Sequence, residues 1–586
     1  MIGKRVKIIY FIAATLLAFS SCEEALPLEG SGISNEDWKE SVAVKESGDM
    51  LAFTFTSEDS WTAESSAPEW CSIMTPSGVK GASALRINVA PNTAIEERTA
   101  IITIKVKGYP VWESLTITQS AGVTEQGEGR YREINKWIYE KMASTYLWNE
   151  PIPTLPLDYS IGYQDFLTSI LDGVAECNDI NHEDGAYKNG HRSEFYTQII
   201  SSAPDTKVVG QTAAGNGFYR LRPVNLGTAV GILVDTVIPD GPAEKSGITR
   251  GHFITEVNGV EITTNNYKNV LSRIYTDRLS VLINTVTWEG ANRDIAVVAP
   301  VRTIELIPEE YIDPAIYKSD VIQLDNGKKI GYLLYMGFHS AFDRQLIEVF
   351  DYFKTEAIDD LVLDLRYNNG GEILSSTVMA TLIAGQQHKG QTLARLTFNA
   401  ERTAAGESAE YKIGTIETLE YPDGYLPIEE ALDHALNLNR VFVIGTEYTA
   451  SASEIIINGL RGLDIEVNLI GRRTSGKNVG MEGFSKRYRN YDFLLYPVSF
   501  HIENAKGFRD YADGFEPDFA LDDSSFYPGG DFGTDGDYLC NVAFGWIKTG
   551  SKPSKVRNRI MTKLSFPESS IPVRHPGGNL VIYRME

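Results

Sequence analysis

The chain has 586 residues, 42% of them hydrophobic and 23% charged, and carries a formal net charge of −24. That length exceeds what one hydrophobic core serves, so several domains are expected, and the composition is that of a globular protein rather than a disordered one. The negative field repels nucleic acid and anionic lipid surfaces, which removes nucleic acid from the expected partners.

The first residues predict export. Lys4, Arg5 and Lys7 precede an apolar stretch from Ile8 to Phe19, interrupted only by Tyr10 and Thr15. That run is short for a bilayer span and has the form of a secretory signal. Ser20 and Ser21 lead into Cys22, and a cysteine directly after small residues resembles a bacterial lipobox, although Phe19 stands where Leu is usual. Residues 1–22 are thus expected to be a lipoprotein signal peptide with Cys22 as the lipidation site. A lipid anchor is then the membrane attachment, on an exported cell-envelope protein expected at the outer membrane. The other cysteines, Cys71, Cys177 and Cys540, are isolated in sequence and show no metal-ligand spacing, so buried thiols are expected and no metal.

Residues 23–33 are acidic and contain Gly and Pro, the composition of a tether. From 34 to 122 short alternating runs such as Leu51–Thr56, Leu85–Val89, Ala100–Val106 and Ser114–Thr118 predict an antiparallel β-sandwich. Trp70-Cys71, the Pro91-Asn92 turn, Arg98-Thr99-Ala100 and the closing Ile117–Ala121 together resemble a BACON domain, which implies an accessory module with a possible glycan ligand.

In 123–205, Ile134, Trp137, Ile138, Met142 and Tyr146 recur at helical spacing and end before Pro151 and Pro153, which predicts a small helical lead-in domain. The aromatic stripe is read as core. In 206–300 a strand around Val230–Val237 is followed by Gly241-Pro-Ala-Glu-Lys-Ser-Gly247, a strand to Val257 and an Asn258-Gly259 turn. That order resembles a PDZ domain of the bacterial protease type, with His252 where the family usually has Asp. The resemblance implies an extended peptide added to the sheet edge, with Gly217, Phe218 and Tyr219 in the binding loop and strand.

From 301 to 525 strands (Ile330–Met336, Leu361–Arg366, Val441–Gly445) alternate with helices (Phe342–Phe353, Ile373–Ile383, Ser453–Leu460), which predicts an α/β core. The extension 526–586 is Gly-rich, then basic, and receives no assignment. The fold class is therefore multidomain: N-terminal β-sandwich, small helical domain, PDZ-like β-rich domain and α/β core.

Three segments of that core carry chemistry. Gly445-Thr-Glu-Tyr-Thr-Ala-Ser-Ala-Ser-Glu454 places a serine between a strand and a helix, near free backbone N–H groups and the positive helix end. A serine needs a base, and none of the eight histidines has a Ser-His-Asp motif context. Lys477, in Arg472-Arg-Thr-Ser-Gly-Lys-Asn-Val-Gly480, follows the next strand, so both can end at one sheet edge; such a base must be held neutral, well below its reference pKa of about 10.4. Asp364-Leu-Arg-Tyr-Asn-Asn-Gly-Gly371 ends a buried strand in paired glycines, where backbone N–H groups can hold an oxyanion.

Taken singly, these are an ordinary helix cap, a turn with a solvated lysine, and a turn. In this order they resemble the C-terminal processing peptidase (tail-specific protease) family of serine peptidases, over about 206–525, with Asp513-Gly-Phe-Glu-Pro-Asp518 as a late strand element. The resemblance implies Ser451, rather than Ser453, as nucleophile and Lys477 as general base. It implies Gly370 or Gly371, with Ala452, in the oxyanion hole, no cofactor, and protein or peptide substrates engaged by their tails. Many members place Gln four residues after the lysine; here Met481 stands there, and Glu482, Asn478 or a backbone carbonyl are the candidate substitutes. Ser77-Gly-Val-Lys80 matches a Ser-x-x-Lys pattern and is read as chance. Two rivals stay open: a non-catalytic peptide- or glycan-binding lipoprotein with a relic core, and an esterase or amidase on the same dyad.

Overall fold

A computed structural model describes residues 31–34, 41–45, 48–92, 97–110, 113–120, 131–178, 186–188, 191–194, 196–202, 212–226, 229–289, 294–415, 428–488, 491–554, 562–567 and 582–585. The expected signal peptide and Cys22 lie outside them. The chain is multidomain and largely β-rich, with several helices, and divides into two compact units, 1–126 and 127–586.

The first unit has two sheets. One runs Ile33–Ser34, Asp49–Ser57, Gly81–Val89, Cys71–Ile73; the other runs Ser41–Val44, Glu113–Gln119, Arg98–Val106, Trp61–Ser65, Ser77–Gly78. The period-two alternation read from the sequence sends Phe55, Leu85, Ile87, Ile102, Ile104 and Ile117 into one core with Trp61 and Cys71. Ser77 and Lys80 are both exposed, and Lys80 pairs with Glu58 at 3.4 Å, a solvated surface contact.

In the second unit the central sheet runs Ile316–Gln323, Lys329–Tyr335, Asp360–Asp364, Arg440–Gly445, Glu466–Gly471, Phe519–Ala520. Its first pair is antiparallel and the rest are parallel. Parallel strands covered on both faces read as unbroken apolar runs, and Leu361-Val362-Leu363 is fully buried, each side chain contributing roughly 1.5–3 kcal/mol. Leu361, Leu363, Val441, Val443 and Leu469 share a core with helices Asp343–Thr355, Ile373–Ala384 and Ala452–Gly462. The alternate residues Val362, Phe442, Ile444 and Ile470 pack on helix Tyr538–Thr549. The boundary expected at 525 therefore cuts this layer: the extension supplies the helix that covers the second face. Asp537 caps that helix, accepting from Leu539 N and Cys540 N, a side-chain role that composition alone did not single out.

Beside it a sheet runs Gln198–Ser202, Tyr491–Tyr496, Val479–Tyr488, Val498–Glu503, Thr392–Phe398, Ala409–Lys412, and Ile582–Met585 pairs with Val479–Tyr488. The 123–205 segment thus holds helices Arg132–Thr145 and Tyr163–Asn178 and then contributes a strand to this sheet. The antiparallel sheet of 218–306 runs Phe218–Leu226, Ala229–Val237, Phe253–Val257, Leu279–Glu289, Asp294–Leu306, with positive φ at both Asn258 and Gly259 in the tight turn. Among the described residues no helix is long and apolar enough to cross a membrane, and the expected buried thiols at Cys71 and Cys540 are free and buried. The Cys177 side chain lies outside the described residues.

Candidate active site

Strand Arg440–Gly445 ends at Gly445, and helix Ala452–Gly462 begins seven residues on, with Ser451 as its N-cap. Ser451 holds φ +61° and ψ −116°, a conformation that costs a residue with a Cβ of order 1–3 kcal/mol and persists only where its surroundings hold it. Those surroundings are explicit. Thr449 Oγ1 donates to Leu365 O at 2.8 Å, Ala450 N donates to Asn368 O at 3.1 Å, and Ser453 Oγ donates to Asn368 O at 3.0 Å. The turn is therefore tied to the segment that follows strand Asp360–Asp364. Ser453 is spent on that tie, whereas Ser451 Oγ is buried without a hydrogen-bond partner among the described residues. An unmet buried hydroxyl costs on the order of 1–3 kcal/mol, a second cost concentrated on this one residue.

Glu454 joins the serine turn to the lysine loop. Its Oε2 accepts from Ser451 N at 3.0 Å and from Lys477 N at 2.8 Å; its Oε1 accepts from Thr474 Oγ1 at 2.6 Å and Gly476 N at 2.8 Å. The backbones of Ser451 and Lys477 thus share one carboxylate oxygen, which holds the two residues side by side. Thr474 Oγ1 also accepts from Phe515 N at 2.7 Å, which brings in the Asp513–Asp518 run. Burial pushes the Glu454 carboxyl up to about 6, against the pull of its four donors. Sequence reading passed over Glu454 as part of a helix cap; its place three residues after Ser451, a capping spacing, was the available signal.

The glycine pair closes the third side. A Cβ on Gly370 would stand 2.6 Å from Ser451 Cβ and 2.9 Å from Ala452 N, so only glycine at its φ of +109° lets this loop touch the serine. The Gly370 N–H already donates to Asn368 Oδ1 at 2.8 Å. The Ala452 N–H sits at the first helical position, where the helix itself offers no acceptor.

Lys477 is nearly buried, at 7% exposure, and its Nζ lies 4.7 Å from the ring centroid of Tyr196. Met481 is fully buried. Glu482 is not turned to the lysine: it pairs with Arg402, Nη2 to Oε1 at 3.0 Å. Asn478 Nδ2 donates to Arg509 O at 3.0 Å, and its Oδ1 has no partner among the described residues.

The other side of the Asp364–Gly371 segment faces a buried ionic network. Arg366 reaches Asp364 at 2.7 Å and Asp537 at 2.8 Å. Tyr367 donates to Asp235 Oδ2 at 3.0 Å, and Asp235 also meets Arg220, Arg222 and Arg250 at 3.1, 3.0 and 3.2 Å. Burial alone would raise the Asp235 carboxyl, yet Arg222, Arg250 and Arg220 hold it well below the usual carboxylate range. The residues expected to read a peptide stand elsewhere: Phe218 is in the core of its sheet, and Tyr219 packs on Tyr317 and donates to Tyr367 O at 3.2 Å. Gly217 O accepts from Ile238 N. Phe218 thus packs within its own sheet, and Tyr219 joins that sheet to the Asp364–Gly371 segment, because apolar rings gain more from a core than from solvent.

Comparison with known proteins bears on the same residues. Residues 329–521 match the model of peptidase family S41 and 133–184 that of the peptidase S41 N-terminal domain. Residues 233–277 match a PDZ domain and 59–120 the BACON model. A carboxyl-terminal-processing protease of Picosynechococcus sp. (strain ATCC 27264 / PCC 7002 / PR-6) is 24% identical over 257 residues, 44% of this chain and 53% of that protein, so the match spans about half of that relative's length. A crystal structure of a Bacteroides fragilis NCTC 9343 protein assigned to the S41 proteases is 27% identical, with a TM-score of 0.56, over 71% of this chain and 97% of that one. The chain thus carries a peptidase S41 domain with an S41 N-terminal domain, together with a PDZ domain and a BACON domain.

Proposed function

We propose that this chain is a serine endopeptidase in which Ser451 is the nucleophile and Lys477 the general base, acting on the unstructured tails of protein substrates. The observation that carries this is Ser451 at a helix N-terminus: its backbone is strained, its hydroxyl has no hydrogen-bond partner among the described residues, and its N–H shares Glu454 with the N–H of the nearly buried lysine. Ser451 Oγ attacks the scissile carbonyl carbon as its proton passes to Lys477 Nζ. The oxyanion is received by the N–H groups of Ala452 and Gly371, since that of Gly370 is engaged by Asn368. Collapse of the tetrahedral adduct expels the amine, which takes the proton from Lys477 and leaves an acyl-Ser451 ester. Water then gives its proton to Lys477, attacks the ester and frees the acid, and the proton returns to Ser451. Ser451 has no exposed surface, so a substrate must part the loops over it before attack.

The PDZ domain engages the tail through main-chain pairing rather than through the Phe218 and Tyr219 side chains. Lipidation at Cys22 and a glycan ligand of the BACON domain complete this reading; the first is tested by membrane fractionation of a Cys22→Ser variant, the second by titration with oligosaccharides. The enzyme's test is cleavage of an unstructured protein with an apolar C-terminus. The parent is expected to cut, with or without EDTA, while folded Ser451→Ala and Lys477→Ala variants lose at least a thousandfold in kcat. An inert parent, or variants that cut equally well, returns the chain to the binding-protein reading.

A further inference from the structure

We propose that Tyr196 is a positioning residue for the general base, its ring face holding the Lys477 side chain and stabilising the ammonium that forms there when Ser451 gives up its proton; this rests on the Ser451–Lys477 reading above. A lysine base needs a group that keeps its amine aimed at the serine. A carboxylate facing the amine would hold it protonated, and a side-chain amide would be the neutral solution. Here the residue four places on is Met481, whose apolar side chain is fully buried, and Glu482 is turned away into its pair with Arg402. What stands over the amine is an aromatic face, 4.7 Å from Nζ to the ring centroid, within the range of a cation–π contact.

The ring is placed by the sheet and not by chance proximity. Gln198–Ser202 pairs antiparallel with Tyr491–Tyr496, Gln198 opposite Tyr496. Thr197 Oγ1 accepts from Val498 N at 3.0 Å, and Val498 lies opposite Met481 in the strand that starts two residues after Lys477. Tyr196 is therefore clamped to the strand of the base through two residues of register.

The contact favours one side of the reaction. A neutral amine gains little from the negative face of a ring, whereas an ammonium gains most where water is sparse, and Lys477 is only 7% exposed. The gain appears as the proton moves from Ser451 Oγ to Nζ, so it lowers the barrier more than it stabilises the resting enzyme. Among the described residues, titratable groups near this loop include Glu454, which binds the Lys477 backbone, Tyr511, whose hydroxyl is buried and raised by burial and by the Glu454 charge, and His501 opposite Val479, whose imidazole burial pushes down to about 4.

The test compares Tyr196→Phe, Tyr196→Leu and phenylalanines of increasing fluorination at position 196 in the full exported chain. Tyr196→Phe keeps kcat within about twofold, and Tyr196→Leu, which fills similar apolar space without a π face, lowers kcat roughly three- to thirtyfold with KM unchanged. The logarithm of kcat falls in step with fluorination, which a purely space-filling role would not produce. The Lys477 amine is titrated separately in the Ser451→Ala background, by the pH dependence of its acylation rate. Tyr196→Leu moves that titration down by roughly half to one and a half pH units, and Tyr196→Phe does not. This second measurement decides the ring contact even for a chain that cleaves nothing: an unshifted titration, or a flat fluorination series in an active enzyme, overturns the proposal. Loss of activity in the parent with the titration shift intact overturns the peptidase reading alone.

Discussion

Glu454 and Asp235 are both fully buried carboxylates beside the Asp364–Gly371 segment, and they are held in opposite ways. Glu454 accepts from three backbone N–H groups and the Thr474 hydroxyl, with no cation bonded to it among the described residues. Asp235 is ringed by Arg220, Arg222 and Arg250. Desolvation is the largest influence on each, and it wins at Glu454, where the carboxyl rises to about 6, and loses at Asp235, where three guanidinium groups hold it far down. Dipoles alone leave a buried carboxylate within reach of protonation, whereas an ionic lattice keeps it charged through any ordinary pH. The difference suits the two places: the arginine lattice fastens the PDZ domain to the Asp364–Gly371 segment, and Glu454 draws the Ser451 and Lys477 loops together.

Three experiments test that contrast. The largest effect is expected from Asp235→Asn, which strands three buried arginines; it should lower stability by about 3–5 kcal/mol in urea unfolding, with activity following the folded fraction. A drop in specific activity with stability intact would mean that the lattice acts on catalysis directly. Next comes Glu454→Gln, whose amide NH2 replaces one acceptor oxygen and faces two N–H or O–H donors. It should cost about a hundredfold in kcat/KM, the scale of a misplaced catalytic group, and lower stability by about 1–3 kcal/mol for the donors left unmet. The smallest is a pH effect. Glu454 is raised from its ordinary 4.5 to about 6, so its neutral form favours the fold, fully below pH 4.5 and no longer once pH has risen through 6, by about 2 kcal/mol. Only the carboxylate can accept from all four donors, so activity should rise over the same interval in which this contribution to stability declines. Asp235 has the reverse sign: its contribution is present above the unfolded value of about 3.9 and is lost only as pH falls through its much lower folded value. Activity lost on acidification only together with unfolding would remove the distinction.

The features legible in the residues alone are local. Alternation at Leu85-Arg-Ile-Asn-Val places Leu85 and Ile87 in a sandwich core, and the unbroken Leu361-Val-Leu run marks a strand covered on both faces. The strand–turn–helix around Gly445–Glu454 marks a serine between a strand and a helix, because a cap, a glycine and a period of two or 3.6 are read within a few residues, and the family resemblance then favours Ser451 over Ser453. Tertiary structure alone decided the rest. That Glu454 is a clamp and not merely a cap depends on Thr474, Gly476 and Lys477 arriving from the next loop. That Arg366 is buried rather than solvated depends on Asp537, and that Tyr196 covers Lys477 depends on one strand pairing with Tyr491–Tyr496. A charged or aromatic side chain carries no mark of its distant partner, since its burial becomes favourable only once that partner is in place.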